Sequence, residues 1–269
     1  MSFHIKKNSG VILQETRSSI SMRYKTITQA VNQEFWNSKS DTEHSLYVGS
    51  YGRGTAIKSS DIDILIELPE EEYERYDSYK TNGQSQLLQT VKSAIQEPYP
   101  CTDVRADGQV VKVTFSDGMK LEVLPAFASI DWMGRTIYQY PDTNMGGNWC
   151  STNPKAEQEA MRKKDISSRH LLFDTCKHIR SIRDKYYSSY HLSGILIDSF
   201  VYWAIGDWSW TENSSPSAVS EGRFEQTLYD NFVTHYKYVS MIHAPGSFEG
   251  VSVSESQECL EKVLAKMLQ

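Results

Sequence analysis

The sequence predicts an α+β protein: a mixed strand-and-helix lobe over residues 1–150, then a helical lobe over 151–269. Three observations point there. Segments of strand character (45–48, 61–68, 109–115 and 119–124) all fall before Pro125. Two of them flank Ser116-Asp117-Gly118, a strong hairpin signal. From Lys155 onward the apolar spacing turns helical, over 156–185, 192–206 and a C-terminal segment.

Near the N-terminus, Ile20, Tyr24, Ile27, Val31 and Phe35 recur at steps of three and four, the stripe of a long amphipathic helix. Its start is open: Asn8, Ser9, Ser18 or Ser19 can cap it, and none has a Glu or Gln three residues on. Residues 45–48 (SLYV) make a short strand that runs into a glycine-rich turn. Residues 61–68 (DIDILIEL) alternate acidic and apolar side chains, then become mostly apolar, which is a strand with one wet end. Residues 70–82, acidic and rich in tyrosine, read as solvated loop or the start of a helix. Leu87, Leu88, Val91 and Ile95 then give a helix ended by Pro98. Asp103 and Asp107 lie in loop-like sequence before the hairpin. Beyond Pro125, Gly, Pro and Asn without a period predict loops to about residue 154. In the last helix Leu260, Val263, Leu264, Met267 and Leu268 share one face.

Composition removes several classes. With 269 residues, 23% of them charged, 15 Gly and 8 Pro, the chain is neither collagen-like nor disordered, and it is long enough for a sizeable core. No apolar run approaches the roughly 18 residues of a membrane span, so no membrane association is expected. The opening MSFHIKKNSG lacks the apolar stretch of a secretory signal. Cys101, Cys150, Cys176 and Cys259 lie far apart without a CxxC pair, against a disulfide frame or a zinc ribbon. A reduced, cytoplasmic chain is the expectation, in which Asn213-Ser214-Ser215 is a glycosylation sequence by chance. A net charge of −6 argues against an extended duplex nucleic-acid surface.

Chemistry concentrates in Val48-Gly49-Ser50-Tyr51-Gly52-Arg53-Gly54-Thr55 and the following Ser60-Asp61-Ile62-Asp63. Three glycines let the backbone turn sharply and expose N–H groups, with the Ser50 hydroxyl, to an anion such as phosphate. Thr55 stands where a Walker A loop needs Lys, and Ile57 where a dinucleotide fingerprint needs a third glycine, so both motifs fail. On a strand, Asp61 and Asp63 point to one face about 6–7 Å apart at Cα. That spacing suits two Mg²⁺ ions about 3.5–4 Å apart. Glu122, on a strand between apolar Leu121 and Val123, is the candidate third ligand, with Asp103 and Asp107 as rivals.

The run Gly49-Ser50…Gly54-Thr55…Ser60-Asp61-Ile62-Asp63, with Glu122–Pro125 at a strand end, resembles the DNA polymerase β-type nucleotidyltransferases. Within that superfamily it is most similar to the bacterial cGAS/DncV-like nucleotidyltransferases, which make cyclic oligonucleotide signals in antiphage defence. The resemblance implies a polymerase β-like lobe with a central mixed sheet, fused to a helical lobe, with the active site between them. It implies that Gly49 and Ser50 bind triphosphate, and that Asp61, Asp63 and Glu122 hold two Mg²⁺ ions, Mn²⁺ being a substitute. Lys177, Arg180 and Ser193 resemble the basic helix and serine that grip the donor nucleotide; Ser193 is equally a candidate helix cap. Residues 162–185 do carry eight Lys/Arg against three Asp, a basic stretch in an acidic chain. The implied partners are NTP substrates, a cyclic-nucleotide-activated effector and a phage-derived activator. Transfer to an RNA, protein or small-molecule acceptor, and an inactive nucleotide-binding regulator, are the alternative readings.

Overall fold

The computed structural model describes residues 3–79, 81–212, 215–218 and 222–269, and these fold as two compact units. The first comprises Leu13–Gly52 and Asp61–Asn153; the second comprises the segment up to Ile12, Arg53–Ser60 and Pro154–Gln269. The second unit is thus assembled from three stretches of chain, two of them, up to Ile12 and Arg53–Ser60, lying before residue 150. Asn213 and Ser214 lie outside the described residues.

In the first unit, α1 (Gln14–Phe35) precedes β1 (Ser45–Val48), the single turn α2 (Gly49–Gly52) and β2 (Ile62–Glu67). There follow α3 (Glu70–Asp77), α4 (Gly83–Gln96), β3 (Asp103–Asp107), β4 (Val110–Thr114), β5 (Lys120–Ile130), β6 (Thr136–Asp142) and β7 (Asn148–Thr152). The strands form one mixed sheet in the order β1-β2-β5-β4-β3, with β6 and β7 continuing from β5. Only β2 and β5 run parallel. Helix α1 buries the expected Ile20, Tyr24, Ile27 and Val31, and α4 buries Leu87, Leu88, Val91 and Ile95. α1 begins at Gln14, after Asn8 and Ser9 and before Ser18 and Ser19, with Leu13 at its N-cap and no capping side chain.

Three segments differ from the sequence expectation. The loop-like stretch at Asp103–Asp107 is an edge strand in which only Val104 is buried, so it lacks an apolar alternation to betray it. β5 does not stop at Pro125. The Ala126 carbonyl accepts from the Leu68 N–H on the β2 side, so Pro125 turns its missing N–H to the opposite edge. There β4 pairing has ended at Val123 and β6 pairing starts at Phe127, so no ladder bond is lost. β6 and β7 fill what reads as loops; mostly half-exposed, they show no clean two-residue period.

The second unit is helical: α5 (Pro154–Ser167), α6 (Leu171–Tyr186) and α7 (Gly194–Ala204) come first. The short strands β8 (Ser209–Trp210) and β9 (Pro216–Ser217), α8 (Phe224–Asn231), β10 (Met241–His243), β11 (Gly250–Ser252) and α9 (Gln257–Met267) complete it. Ile179, Ile197, Phe200, Leu228, Val263 and Leu264 lie at its core. The helix expected over 156–185 is broken after Ser167, where Arg169 and His170 take φ of 52° and 73°. Asp165 holds the break: its carboxylate accepts from the Phe173 N–H at 2.9 Å and lies 2.7 Å from His170 Nδ1. No Gly or Pro marks this corner. Asp165→Ala should therefore cost about 2 kcal/mol, read from the urea unfolding midpoint, because it orphans a capped N–H beside a buried carboxylate site.

Candidate functional site

Apolar burial beneath the sheet sets where its polar residues stand. Ile62, Ile64, Val111, Val113, Leu121 and Val123 are buried on one face, which turns the alternate residues to the other. In register, Asp63 lies opposite Glu122, Glu122 opposite Lys112, and Lys112 opposite Arg105. Residues paired across strands share a face about 5 Å apart, so these four form one row across β2, β5, β4 and β3. Asp61, one residue before β2 and exposed, joins Glu122, Lys112, Lys120, Arg105 and Asp107 around a cavity of about 530 Å³. At the other end of this face Leu65 and Ala126 pack with Val48 and Tyr138. The expected wet strand end is thus charged where it meets solvent and closed by an apolar cluster behind.

Burial, together with the nearby charges of Asp61 and Asp107, holds the Glu122 carboxyl above its ordinary range, against the pull of Lys112. Lys112 Nζ donates to Asp107 at 2.6 Å and stands 3.8 Å from Glu122 Oε1. The sequence reading passed over Lys112, yet the hairpin signal contained it. Pairing Phe115 with Met119 across the turn fixes Lys112 opposite Glu122 three residue pairs further on.

The glycine turn and Asp63 form one locus. Gly49 takes φ of 57°, and a Cβ there would fall 1.8 Å from Asp63 Oδ2. Only a residue without a side chain lets the backbone lie against that carboxylate. Ser50, half-buried, follows in the same turn, and the Tyr51 ring leans on Tyr47 at 4.8 Å between centroids.

A divalent cation fits the donors of this face in type. Asp61, Asp63 and Glu122 supply hard carboxylate oxygens, two of them on facing residues, and the crowding of like charge on Glu122 is what a cation relieves. The arrangement is not a preformed cage. Asp63 turns its carboxylate onto Gly49, and among the described residues no three His, Cys, Asp or Glu side chains converge as metal ligands.

The second unit holds the remaining expected residues, and it treats them differently. Lys177 is half-buried on α6, its ammonium 5.9 Å from the Phe173 ring centroid. Ser193 caps α7, accepting from the Leu196 N–H at 3.3 Å, and borders a small pocket with His191, Glu255 and Ser256. Arg180 is not placed to meet a ligand. At 2% exposure it donates to Asp198 at 2.7 Å and to the Gly194 carbonyl at 2.8 Å. The basic stretch drew it into the prediction; a carboxylate 18 residues on, in apolar sequence, claims it instead.

Asp198 is fully buried and holds a second arginine. Arg53 donates to Asp198 at 2.9 Å and to Glu157 at 2.8 Å, while Thr55 donates to the same Asp198 oxygen at 2.9 Å. Burial opposes the Asp198 charge, but the two guanidiniums overcome it and hold its carboxyl below the ordinary range. Burial wins at Glu157, whose carboxyl is raised despite Arg53. Gly54, between Arg53 and Thr55, has φ of 81°, and a Cβ there would meet the Phe173 ring at 2.6 Å. Arg53-Gly54-Thr55 is therefore anchored in the second unit by charge, close packing and a hydroxyl. Sequence spacing of more than 100 residues hid these partners.

Residues 5–165 match the family model described as the Second Messenger Oligonucleotide or Dinucleotide Synthetase domain. Among curated proteins none matches the chain. Solved structures of the same fold include the Rhodothermus marinus CdnE c-UMP-AMP synthase with Apcpp and Upnpp. It is 15% identical, with TM-score 0.63, over 97% of this chain and 91% of that one. The Elizabethkingia meningoseptica CdnE cyclic dinucleotide synthase with GTP and Apcpp is 15% identical, with TM-score 0.61, over 93% and 89%. CdnC of E. coli MS115-1, solved in a complex with HORMA-deltaN, is 11% identical, with TM-score 0.60, over 97% and 85%. The chain thus has the polymerase β-like nucleotidyltransferase fold. No helix among its described residues is long and apolar enough to cross a membrane.

The buried network gives a stability test. Replacing Asp198 by Asn leaves two buried guanidiniums short of a counter-charge and should cost about 3–5 kcal/mol in urea unfolding at pH 7. Because the Asp198 carboxyl is held low in the folded state, its contribution is present above the ordinary carboxylate range near pH 4. It is lost as pH falls through the lower folded value, so wild type should lose stability on acidification more steeply than the variant.

Proposed function

The chain belongs to the Second Messenger Oligonucleotide or Dinucleotide Synthetase family, and from that we propose that it joins NTPs into a cyclic di- or trinucleotide, releasing pyrophosphate. The observation that carries the reading is the Asp63–Glu122 register pair, with Asp61 bordering the same cavity and a glycine turn lying on Asp63. In each round a ribose hydroxyl oxygen attacks the α-phosphorus of an NTP. A new P–O bond forms, the bond to the β-phosphate oxygen breaks, and the hydroxyl proton passes to solvent. A linear product must then be re-bound with its two ends exchanged for the ring to close.

Gly49 and Ser50 present backbone N–H groups and a hydroxyl suited to triphosphate oxygens. Asp61, Asp63 and Glu122 are the residues to hold Mg²⁺, or Mn²⁺ in its place. When bound, two such ions would neutralise the triphosphate and acidify the attacking hydroxyl. In the second unit Lys177 supplies a cation and Ser193 a helix start for the donor phosphates. Arg180 serves by holding the Gly194 carbonyl beside Ser193. The family resemblance supports antiphage signalling as the setting. The partners are then an effector that a cyclic nucleotide activates and a phage-derived activator of synthesis.

Incubating the whole chain with labelled ATP, GTP, CTP and UTP plus Mg²⁺ tests this, with mass spectrometry after phosphatase treatment. A phosphatase-resistant cyclic product supports the proposal. Product that appears only with an added RNA, protein or small-molecule acceptor indicates another transferase, and no product under any condition indicates a regulatory protein. Asp61→Asn with Asp63→Asn should lower turnover by more than about 10³-fold, the scale of removing a dominant electrostatic element. Circular dichroism and the melting temperature should stay close to wild type, because both residues stand at the wet strand end.

A further inference from the structure

Lys112 is a charged group of the cavity that neither the sequence motif nor the family reading uses, and it stands 3.8 Å from Glu122. It sits opposite Glu122 across antiparallel strands and on the same face. Its ammonium is shared unequally, 2.6 Å from Asp107 Oδ2 and 3.8 Å from Glu122 Oε1. Asp107 is the last residue of β3, joined to β4 by the two residues Gly108 and Gln109, so a short hairpin fixes it near the lysine. Across the cavity rim, four carboxylates (Asp61, Asp103, Asp107 and Glu122) face three cations (Arg105, Lys112 and Lys120). Asp103 is paired with Arg105 at 2.7 Å, which leaves Lys112 between Asp107 and Glu122.

We propose that Lys112 is a positioning residue for Glu122: a tethered counter-cation, drawn aside by Asp107, whose place sets how tightly Glu122 takes a divalent cation. The inference rests on the metal-binding reading of Glu122 given above. A cation on a carboxylate oxygen sits roughly 2.0–2.6 Å from it, within a few ångströms of an ammonium that stands 3.8 Å from the same oxygen. Two positive charges that close repel even in a wet environment. The Asp107 contact lowers that repulsion by keeping the lysine on the far side. The hairpin therefore tunes metal affinity from outside the ligand set.

The two partners predict opposite signs, which a purely structural role does not. Binding of Mn²⁺ alone, read by the electron paramagnetic resonance signal of the free ion, is measured on the whole chain. Lys112→Met should bind Mn²⁺ more tightly, by about fivefold to tenfold for a charge removed at this range. Lys112→Arg should stay within about twofold of wild type, since it restores the charge. Asp107→Asn should bind several-fold more weakly, because the lysine is released toward Glu122. The double variant Lys112→Met with Asp107→Asn should match Lys112→Met, because Asp107 acts through the lysine. Unchanged or weaker Mn²⁺ binding by Lys112→Met overturns the proposal, as does a double variant as weak as Asp107→Asn. If wild type binds no Mn²⁺, or Glu122→Gln leaves binding intact, the metal assignment itself fails and this inference falls with it.

Discussion

The parallel pairing of β2 with β5 is the constraint on which the site depends. It places Asp63 opposite Glu122, and everything proposed for catalysis starts from that adjacency. Polar side chains do not hold this register. Ile62, Ile64 and Ile66 on β2, with Leu121 and Val123 on β5, are buried almost completely, and a slip of one residue would turn this set toward water and the carboxylates into the core. Hydrophobic packing on one face thus dictates the address of charge on the other.

Much of this was legible because it is local. The α1 stripe, the Ser-Asp-Gly hairpin and the DIDILIEL alternation each carry their own period, and the structure follows them. What stayed hidden depends on partners distant in the chain. β6 and β7 have no clean alternation because both of their faces are partly wet. The break between α5 and α6 rests on one aspartate reaching a backbone N–H eight residues ahead, a bond that composition does not announce. Arg180 shows the same limit from the other side: its helix position reads as basic surface, and only Asp198 reveals it as buried. Among the candidate ligands, residue type and strand phase were readable, whereas the turn of the Asp63 carboxylate onto Gly49 was not.

Two kinds of electrostatics divide the molecule. Around Asp198, charges are dry: Asp198 meets two guanidiniums, Arg53 meets two carboxylates and Arg180 is tied to backbone carbonyls, an arrangement that fails badly when one partner is removed. Along the Asp63–Glu122–Lys112–Arg105 row, charges are half-exposed, and exposed at Arg105, so they respond to what binds. Stability rests on the first kind and responsiveness on the second. In the first unit the rigid apolar strands beneath the row keep the responsive side chains in place without restricting their charge.

Because Leu13–Gly52 lies between two segments of the second unit, and Arg53–Ser60 between two of the first, neither unit is a continuous piece of polypeptide. Cutting the gene near codon 150 would strip the helical fragment of Arg53 and Thr55, leaving Asp198 with one guanidinium rather than two. Neither truncation nor circular permutation therefore divides this protein into halves, because Arg53–Ser60 stays between the two segments of the first unit, and cleavage at residue 153 would leave both fragments incomplete.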